Sequence, residues 1–207
     1  RESCESLLEH FIAAEGQTLI GWRDVPVDSG ILSETVQATE PVVRQLFVGS
    51  GANCPDQAAF DRKLYVIRRL AERAVAEKLG KAADDFYVCT LASRVLGYKG
   101  MLLARDVGPY YKDLGDERMK SAMALVHQRF STNTFPRWSL AQPFRMICHN
   151  GEINTLRGNL NWMRAREALC RSDVLGEDLQ KLFPIIREGQ SDTATFDNVL
   201  EFLVLAG

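Results

Sequence analysis

Apolar positions along this chain follow two different spacings. Within residues 58–79, Phe60, Leu64, Ile67 and Ala71 recur every three or four positions, which predicts an amphipathic helix. The same spacing predicts helices at residues 5–14, 32–39, 155–170, 174–183 and 192–205. Apolar runs bounded by turn residues predict strands at residues 17–27, 41–48, 86–92, 95–103, 122–131 and 144–149. The strands cluster in the middle of the chain with helices around them, so the predicted fold class is α+β.

The long predicted helix also carries a basic cluster. Lys63, Arg68 and Arg69 would suit a phosphate site. A charged helix face turned to solvent is the favoured interpretation, because charge runs on helices are usually solvated.

Composition narrows the class of protein. With 207 residues, of which 46% are apolar and 25% charged, the chain can bury a core and falls in the globular range. Lys and Arg number 25 against 27 for Asp and Glu, and this net charge of -2 leaves no basic excess for nucleic acid. No apolar run reaches the roughly 18 residues of a membrane span. The first residues lack a secretory apolar region and an initiator Met, so we expect a non-secreted piece of a longer protein.

Five cysteines bear on the compartment and on metal binding: Cys4, Cys54, Cys89, Cys148 and Cys170. Their odd number and the lack of a CxxC spacing argue against a disulfide framework and against a metal site. We therefore expect a reducing, cytosol-like compartment in which most of them act as small buried apolar residues. Cys148 and His149 resemble a thiol–imidazole pair, but neighbours on a strand point to opposite faces, and we expect Cys148 to be buried.

Three polar segments follow apolar runs, at residues 127–132, 148–152 and 190–193. Arg129, near the end of a predicted strand, offers a planar fork that can hold a carboxylate through two hydrogen bonds. An ion pair within the sheet is the alternative interpretation of this arginine.

Asn150 and Gly151 follow the apolar run that ends at Cys148. An amide side chain beside the unobstructed N–H of a glycine supplies two donors aimed at one point, as the oxyanion hole of acyl transfer requires. A plain Asn-Gly turn is the alternative.

Asp192 begins the last predicted helix, where the helix dipole favours an acidic residue. A carboxylate that receives a substrate ammonium is the functional alternative. Together the cationic fork, the two-donor site and the anion match an α-amino acid whose side-chain carbonyl is attacked.

Longer sequence words identify a family resemblance. Residues 127–136 (HQRFSTNTFP), 142–145 (QPFR), 149–159 (HNGEINTLRGN) and 190–193 (QSDT) resemble the glutaminase domain of glutamate synthases, which are class II glutamine amidotransferases. Shorter words at residues 21–26 (GWRDVP), 63–68 (KLYVIR) and 98–101 (YKGM) extend the resemblance over nearly the whole chain. We expect residues 1–207 to form part of a single amidotransferase domain.

The resemblance implies an N-terminal-nucleophile (Ntn) hydrolase-like fold, a four-layer αββα sandwich that is incomplete at the N-terminus here. It implies that glutamine is hydrolysed to glutamate and ammonia. Carried over by position, Arg129 would hold the glutamine α-carboxylate, Asp192 its α-ammonium, and Asn150 with the Gly151 N–H would form the oxyanion hole. Two further residues would line the same pocket, Ser131 and Thr132.

The nucleophile of the resembled family is a cysteine at the very N-terminus of the mature chain. Here Arg1 comes first, and Cys4 stands in a sequence unlike the family's cysteine–glycine start. We therefore expect the nucleophile to be absent and the isolated chain to be inactive. This leaves a non-catalytic binding or interaction module as an alternative. Another class II amidotransferase is disfavoured because residues 21–24 and 58–79 look specific to glutamate synthases.

The resemblance also implies cofactors and partners outside this chain. A downstream synthase domain of the same polypeptide, with FMN and an iron–sulfur cluster, would use the ammonia to convert 2-oxoglutarate reductively to glutamate. Electrons would come from a nicotinamide-dependent reductase subunit or from ferredoxin. We expect no cofactor in this chain and no nucleic-acid or membrane partner. The expected location is the cytoplasm, or a plastid in a plant or alga.

Overall fold

The computed structural model describes residues 1–128 and 135–207. The α-helices are α1 (Glu2–Ala14), α2 (Glu34–Gln37), α3 (Gln57–Leu79), α4 (Val107–Tyr110), α5 (Leu156–Glu167) and α6 (Asp192–Ala206). Two antiparallel strands, β1 (Thr18–Asp24) and β2 (Arg44–Gly49), form a sheet. The predicted helices at 5–14, 32–39, 58–79, 155–170 and 192–205 and the first two predicted strands are confirmed with shifted ends. The helix predicted at 174–183 is a 3₁₀ helix, Gly176–Leu182.

Helix α3 runs through the largest apolar core. It begins where the Asp56 carboxylate accepts the Ala59 N–H at 2.7 Å, and it ends at Gly80, whose φ is 54°. The fully buried Val66 packs in one cluster with Ile185 and with Phe202 of α6. This α3–α6 core holds α6 in place, and α6 begins at the candidate residue Asp192.

The antiparallel pair of β1 and β2 belongs to a second packed region. Thr18 pairs with Gly49 and Asp24 with Arg44, with an irregularity in the register after Leu19. Directly after β1, Val25 lies in a cluster of buried side chains with Tyr110, Tyr111 and Trp138. The aromatic cluster thus anchors β1 against the middle of the chain.

In the basic cluster of α3, Arg68 and Arg69 are buried and Lys63 is half-buried, so the prediction of a solvated charged face is wrong. Arg68 is 1% exposed and forms ion pairs with Glu72 and with Glu201 of α6. Burial alone would raise the pKa of Glu72, but Arg68 and then Arg145 hold it at about 2. Spacing along one helix did not reveal this, because the second acidic partner lies on α6.

Several predicted strands are wrong. Residues 86–92, 95–103 and 144–149 contain no strand. Of the strand predicted at 122–131, residues 122–128 are irregular and residues 129–131 lie outside the described ranges. An apolar pattern identifies a segment that can pair, but a strand also needs a neighbour that satisfies its backbone N–H and C=O groups. The described ranges contain one two-stranded sheet among helices, which agrees with a mixed fold and does not display four layers.

Within the same ranges no helix is both long and apolar enough to cross a bilayer.

Candidate functional site

Asp192 occupies the first turn of α6, as the sequence predicts. Ser191 caps the helix by accepting the Ala194 N–H at 3.2 Å. The Asp192 carboxylate is 7% exposed; Oδ1 accepts the Thr193 N–H at 2.7 Å and Oδ2 accepts the Ile153 N–H at 2.7 Å. The second bond brings the start of α6 against the chain that follows Asn150 and Gly151. Because each carboxylate oxygen has two lone pairs, the side chain can still receive a cation.

Residues 144–153, here called the site segment, lie beside α6 without regular structure. The fully buried Asp197 accepts the N–H groups of Met146 at 2.7 Å and Ile147 at 3.2 Å on Oδ1, and that of Arg145 at 3.3 Å on Oδ2. Burial raises the pKa of Asp197, although the Met146 N–H opposes that rise. One carboxylate therefore satisfies three consecutive backbone donors that a sheet would otherwise pair.

Gln142 makes a second contact with the site segment. Its Nε2 donates to the His149 carbonyl at 3.0 Å, and its Oε1 accepts the His149 N–H at 2.9 Å. The side-chain amide thus bonds to both backbone groups of one residue, as a neighbouring strand would. His149 is the residue directly before Asn150, so this contact fixes the backbone from which the two candidate donors, Asn150 and Gly151, follow.

Asn150 and Gly151 are exposed at the end of the site segment. His127 Nε2 lies 2.8 Å from Asn150 Oδ1, and the Gly151 N–H donates to His149 Nδ1 at 2.9 Å. Because His149 Nδ1 accepts a hydrogen bond, the proton of the neutral ring lies on Nε2, which is 3.3 Å from Thr193 Oγ1. The Gly151 N–H must therefore turn away from His149 before it can donate to an oxyanion.

The remaining candidate residues, Arg129, Ser131 and Thr132, lie outside the described ranges. The described part of the same motif reaches the site through His127, which contacts Asn150. Asn150, Gly151 and Asp192 are thus brought together with His127, and the assignment of Arg129 stays a prediction.

The cysteines differ from expectation. All five are free thiols, but Cys54, Cys89, Cys148 and Cys170 are half-buried and only Cys4 is buried, so the prediction that most are buried is wrong. Cys4 packs in a cluster with Val75 and Ala83. Burial raises the pKa of the Cys89 thiol, which disfavours the reactive thiolate. The His149 ring is engaged by Gly151 and Thr193 rather than by Cys148.

Two cavities flank the site segment. One of about 650 Å³ has apolar walls that include Ile153, Trp162 and Phe196, with Asp192 also lining it. The other, of about 110 Å³, is lined by Asp197 and by the buried Lys99, whose ammonium donates to the Ser139 carbonyl at 2.8 Å. Burial lowers the pKa of Lys99 to about 8.

Sequence reasoning missed the contacts made by Gln142, His149, Thr193 and Asp197. Gln142 belongs to the QPFR motif and His149 to the HNGE motif, so the family resemblance was a signal that could have identified both. Asp197 gave one signal, an acidic residue inside the largely apolar helix 192–205. Its partners are backbone N–H groups some 50 residues earlier in the chain, which no spacing rule connects.

Asn150 and Gly151 thus lie on the segment whose Ile153 N–H bonds to the buried Asp192 carboxylate at the start of α6. The family profile described as glutamine amidotransferases class-II matches residues 1–207, and the chain belongs to this family.

Curated relatives with similar sequences are glutamate synthases. The chain is 49% identical to the glutamate synthase (NADPH) large chain of Bacillus subtilis and 46% identical to that of Azospirillum brasilense. It is 41% identical to the chloroplastic ferredoxin-dependent glutamate synthase of Oryza sativa subsp. japonica. Each match covers 100% of this chain but 13% of the relative, so the chain spans a small part of these proteins.

Proposed function

We propose that this chain is the glutamine-binding part of the glutaminase site of a glutamate synthase. The observation that carries the proposal is the 2.7 Å hydrogen bond from the Ile153 N–H to Asp192, which sets a buried carboxylate against the segment of Asn150 and Gly151. The family match and the glutamate synthase relatives support the choice of glutamine as substrate.

In the proposed reaction a cysteine thiolate attacks the side-chain amide carbon of glutamine. Asn150 Nδ2 and the Gly151 N–H donate to the oxygen of the tetrahedral intermediate. The proton that the thiol gave up to a general base passes to the leaving nitrogen, so that the intermediate collapses to a thioester and ammonia departs. Water then hydrolyses the thioester to glutamate and frees the thiol. Asp192 pairs with the α-ammonium of glutamine, Arg129 holds its α-carboxylate, and Ser131 and Thr132 line the pocket.

The cysteine nucleophile of this proposal lies outside these 207 residues. Cys4 is packed at the contact of α1 and α3, and the ring of His149, the neighbour of Cys148, is bonded to Gly151 and Thr193. The isolated chain would then bind glutamine without hydrolysing it. This environment of the thiols is also what favours the second candidate function, a non-catalytic module derived from the same domain.

For the complete protein we propose the activity that the relatives' names describe. Ammonia formed here would pass to a downstream synthase domain that converts 2-oxoglutarate to glutamate, with electrons from a nicotinamide-dependent reductase or from ferredoxin. The synthase domain would hold FMN and an iron–sulfur cluster, which supply the electron transfer. We also propose that this chain contributes to a four-layer Ntn-hydrolase-like sandwich and acts in the cytoplasm or a plastid.

A diazoketone analogue of glutamine tests the proposal in the complete enzyme. Such a reagent binds in the place of glutamine and alkylates an activated thiol in the glutamine site. We expect it to abolish glutamine-dependent glutamate formation, to spare the ammonia-dependent reaction and to label a cysteine outside residues 1–207. Excess glutamine should protect this cysteine from labelling by the diazoketone. A label on one of the five cysteines of this chain would refute the assignment of the nucleophile, and lack of any labelling would favour the non-catalytic module.

A further inference from the structure

We propose that Asp197 and Gln142 are positioning residues that hold the site segment so that Asn150 and Gly151 can donate to the oxyanion. Neither side chain is part of the proposed reaction, and each binds the backbone that leads to the two donors. The inference rests on the proposed function for its catalytic consequence, while the hydrogen bonds themselves stand on geometry.

Asp197 holds the beginning of the site segment. Its carboxylate accepts the N–H groups of residues 145–147, and the Phe144 N–H donates to the Ile147 carbonyl at 2.9 Å to close a turn. A carboxylate that is 0% exposed is costly to bury, and three N–H donors are what offset that cost. The site segment is therefore tied to α6, and through α6 to the α3–α6 core.

Gln142 holds the site segment at His149, directly before Asn150. Its two bonds to the His149 backbone stop the chain from rotating directly before Asn150. Between Asp197 and Gln142, the backbone of residues 145–149 is fixed at both ends without a strand partner. Such bonds matter for catalysis because donors must sit within about 0.5 Å of their productive positions.

The first test compares two buried carboxylates of α6 in the complete enzyme. Asp197→Asn replaces one oxygen by an NH₂ group, so a donor faces the backbone N–H groups and at least one hydrogen bond is lost. The matched control is Glu201→Gln, because Glu201 is 7% exposed and pairs with Arg68 rather than with the site segment. We expect kcat for glutamine hydrolysis to fall about 10- to 100-fold in Asp197→Asn, with KM changed less than about twofold. Glu201→Gln should keep the kcat of the unmodified enzyme.

The second test uses two buried glutamines. Gln142→Ala should also lower kcat with little change in KM, and it decides the question if Asp197→Asn fails to fold. Its control is Gln17→Ala: Gln17 is 6% exposed and bonds to the Glu15 carbonyl and the Gly51 N–H, far along the chain from the site segment. Ammonia-dependent glutamate formation should survive in all four variants.

Hydrogen exchange separates this inference from the proposed function. We expect the amides of residues 145–147 to exchange faster in Asp197→Asn and that of His149 faster in Gln142→Ala, with no such change in the controls. Unchanged exchange would overturn the inference. Faster exchange with unchanged kcat, or an equal kcat loss in the controls, would overturn the positioning role. If the unmodified enzyme has no glutaminase activity, the proposed function is refuted. The hydrogen bonds of Asp197 and Gln142 are then tested by the hydrogen-exchange rates alone.

Discussion

The α3–α6 core and the site segment are ordered by different interactions. In the core, apolar side chains such as Val66, Ile185 and Phe202 exclude water, and the backbones of Val66 and Phe202 belong to the helices α3 and α6. In the site segment, the backbone donors of residues 145–147 are satisfied by one carboxylate. The comparison teaches that a site can be held rigid by polar side chains from a well-packed helix, without regular structure of its own.

The core should lose the most stability when its buried charges are unbalanced. Arg68→Met removes the cation between Glu72 and Glu201 and leaves buried carboxylates without that partner. We expect a loss of about 3–5 kcal/mol in the free energy of opening, measured from hydrogen exchange of the α3 amides in the complete protein. The kcat of the folded fraction should change little. A loss of less than about 1 kcal/mol in the free energy of opening would mean that the buried ion pairs do not stabilise this core.

Asn150→Ala should cause the largest catalytic loss in the site segment. Removing one oxyanion donor typically lowers kcat about 10²–10³-fold, because the bond strengthens only as charge develops on the oxygen. Steady-state kinetics of glutamine hydrolysis should show this with KM almost unchanged. A raised KM with unaltered kcat would instead identify Asn150 as a ground-state contact.

Arg129→Ala and Asp192→Asn should mainly weaken substrate binding, because we propose that both residues bind the unreacting end of glutamine. Each should raise KM strongly, with kcat/KM lower by about ten- to a hundredfold. Arg129→Lys should recover only part of the loss, since an ammonium cannot reproduce the bidentate fork.

The ammonia-dependent reaction is the control for both residues, because it bypasses glutamine and should persist. If folded variants also fail with free ammonia, Arg129 and Asp192 serve structure or coupling between sites rather than glutamine binding.

Acid should destabilise the core in a defined range. The pKa of Glu72 is about 2 in the folded chain against an ordinary value of 4.5, so its contribution is complete above pH 4.5 and is lost as pH falls towards 2. The effect is smaller than that of Arg68→Met because Arg68 keeps Glu201 when Glu72 is protonated. Acid unfolding of Glu72→Gln should show a shallower slope over this range, and an identical slope would contradict the low pKa.

Thr193→Val should give the smallest effect. The Thr193 hydroxyl lies 3.3 Å from both His149 Nε2 and Asp192 Oδ1, which are long hydrogen bonds. We expect less than about a threefold change in kcat/KM for glutamine. A loss comparable to that of Asn150→Ala would show that the link from His149 to Asp192 is a main support of the site.

The helices could be predicted because the apolar residues of each segment repeat with a period of about 3.6 residues, which is a local property of the sequence. Asp192 was placed correctly for the same reason, since a helix start is a local signal. The predicted strands at 86–92, 95–103 and 144–149 failed because pairing depends on a second segment. The role of Asp197 and the burial of Arg68 were missed because Asp197 bonds to residues 145–147 and Arg68 also pairs with Glu201, both of which are distant in the chain.

The bond between the Gly151 N–H and His149 Nδ1 occupies one of the two donors of the proposed oxyanion hole before substrate binds. Turning this N–H towards substrate exchanges a neutral hydrogen bond for a charge-assisted one, so only the difference between the two accelerates the reaction. The Asn150 amide starts from a different position, because its bond to His127 uses the oxygen and not the NH₂ group. Under the proposed roles the two donors would contribute unequally. The Asn150 NH₂ group would keep the bond of its oxygen to His127 when it donates to substrate, whereas the Gly151 N–H would first give up its bond to His149.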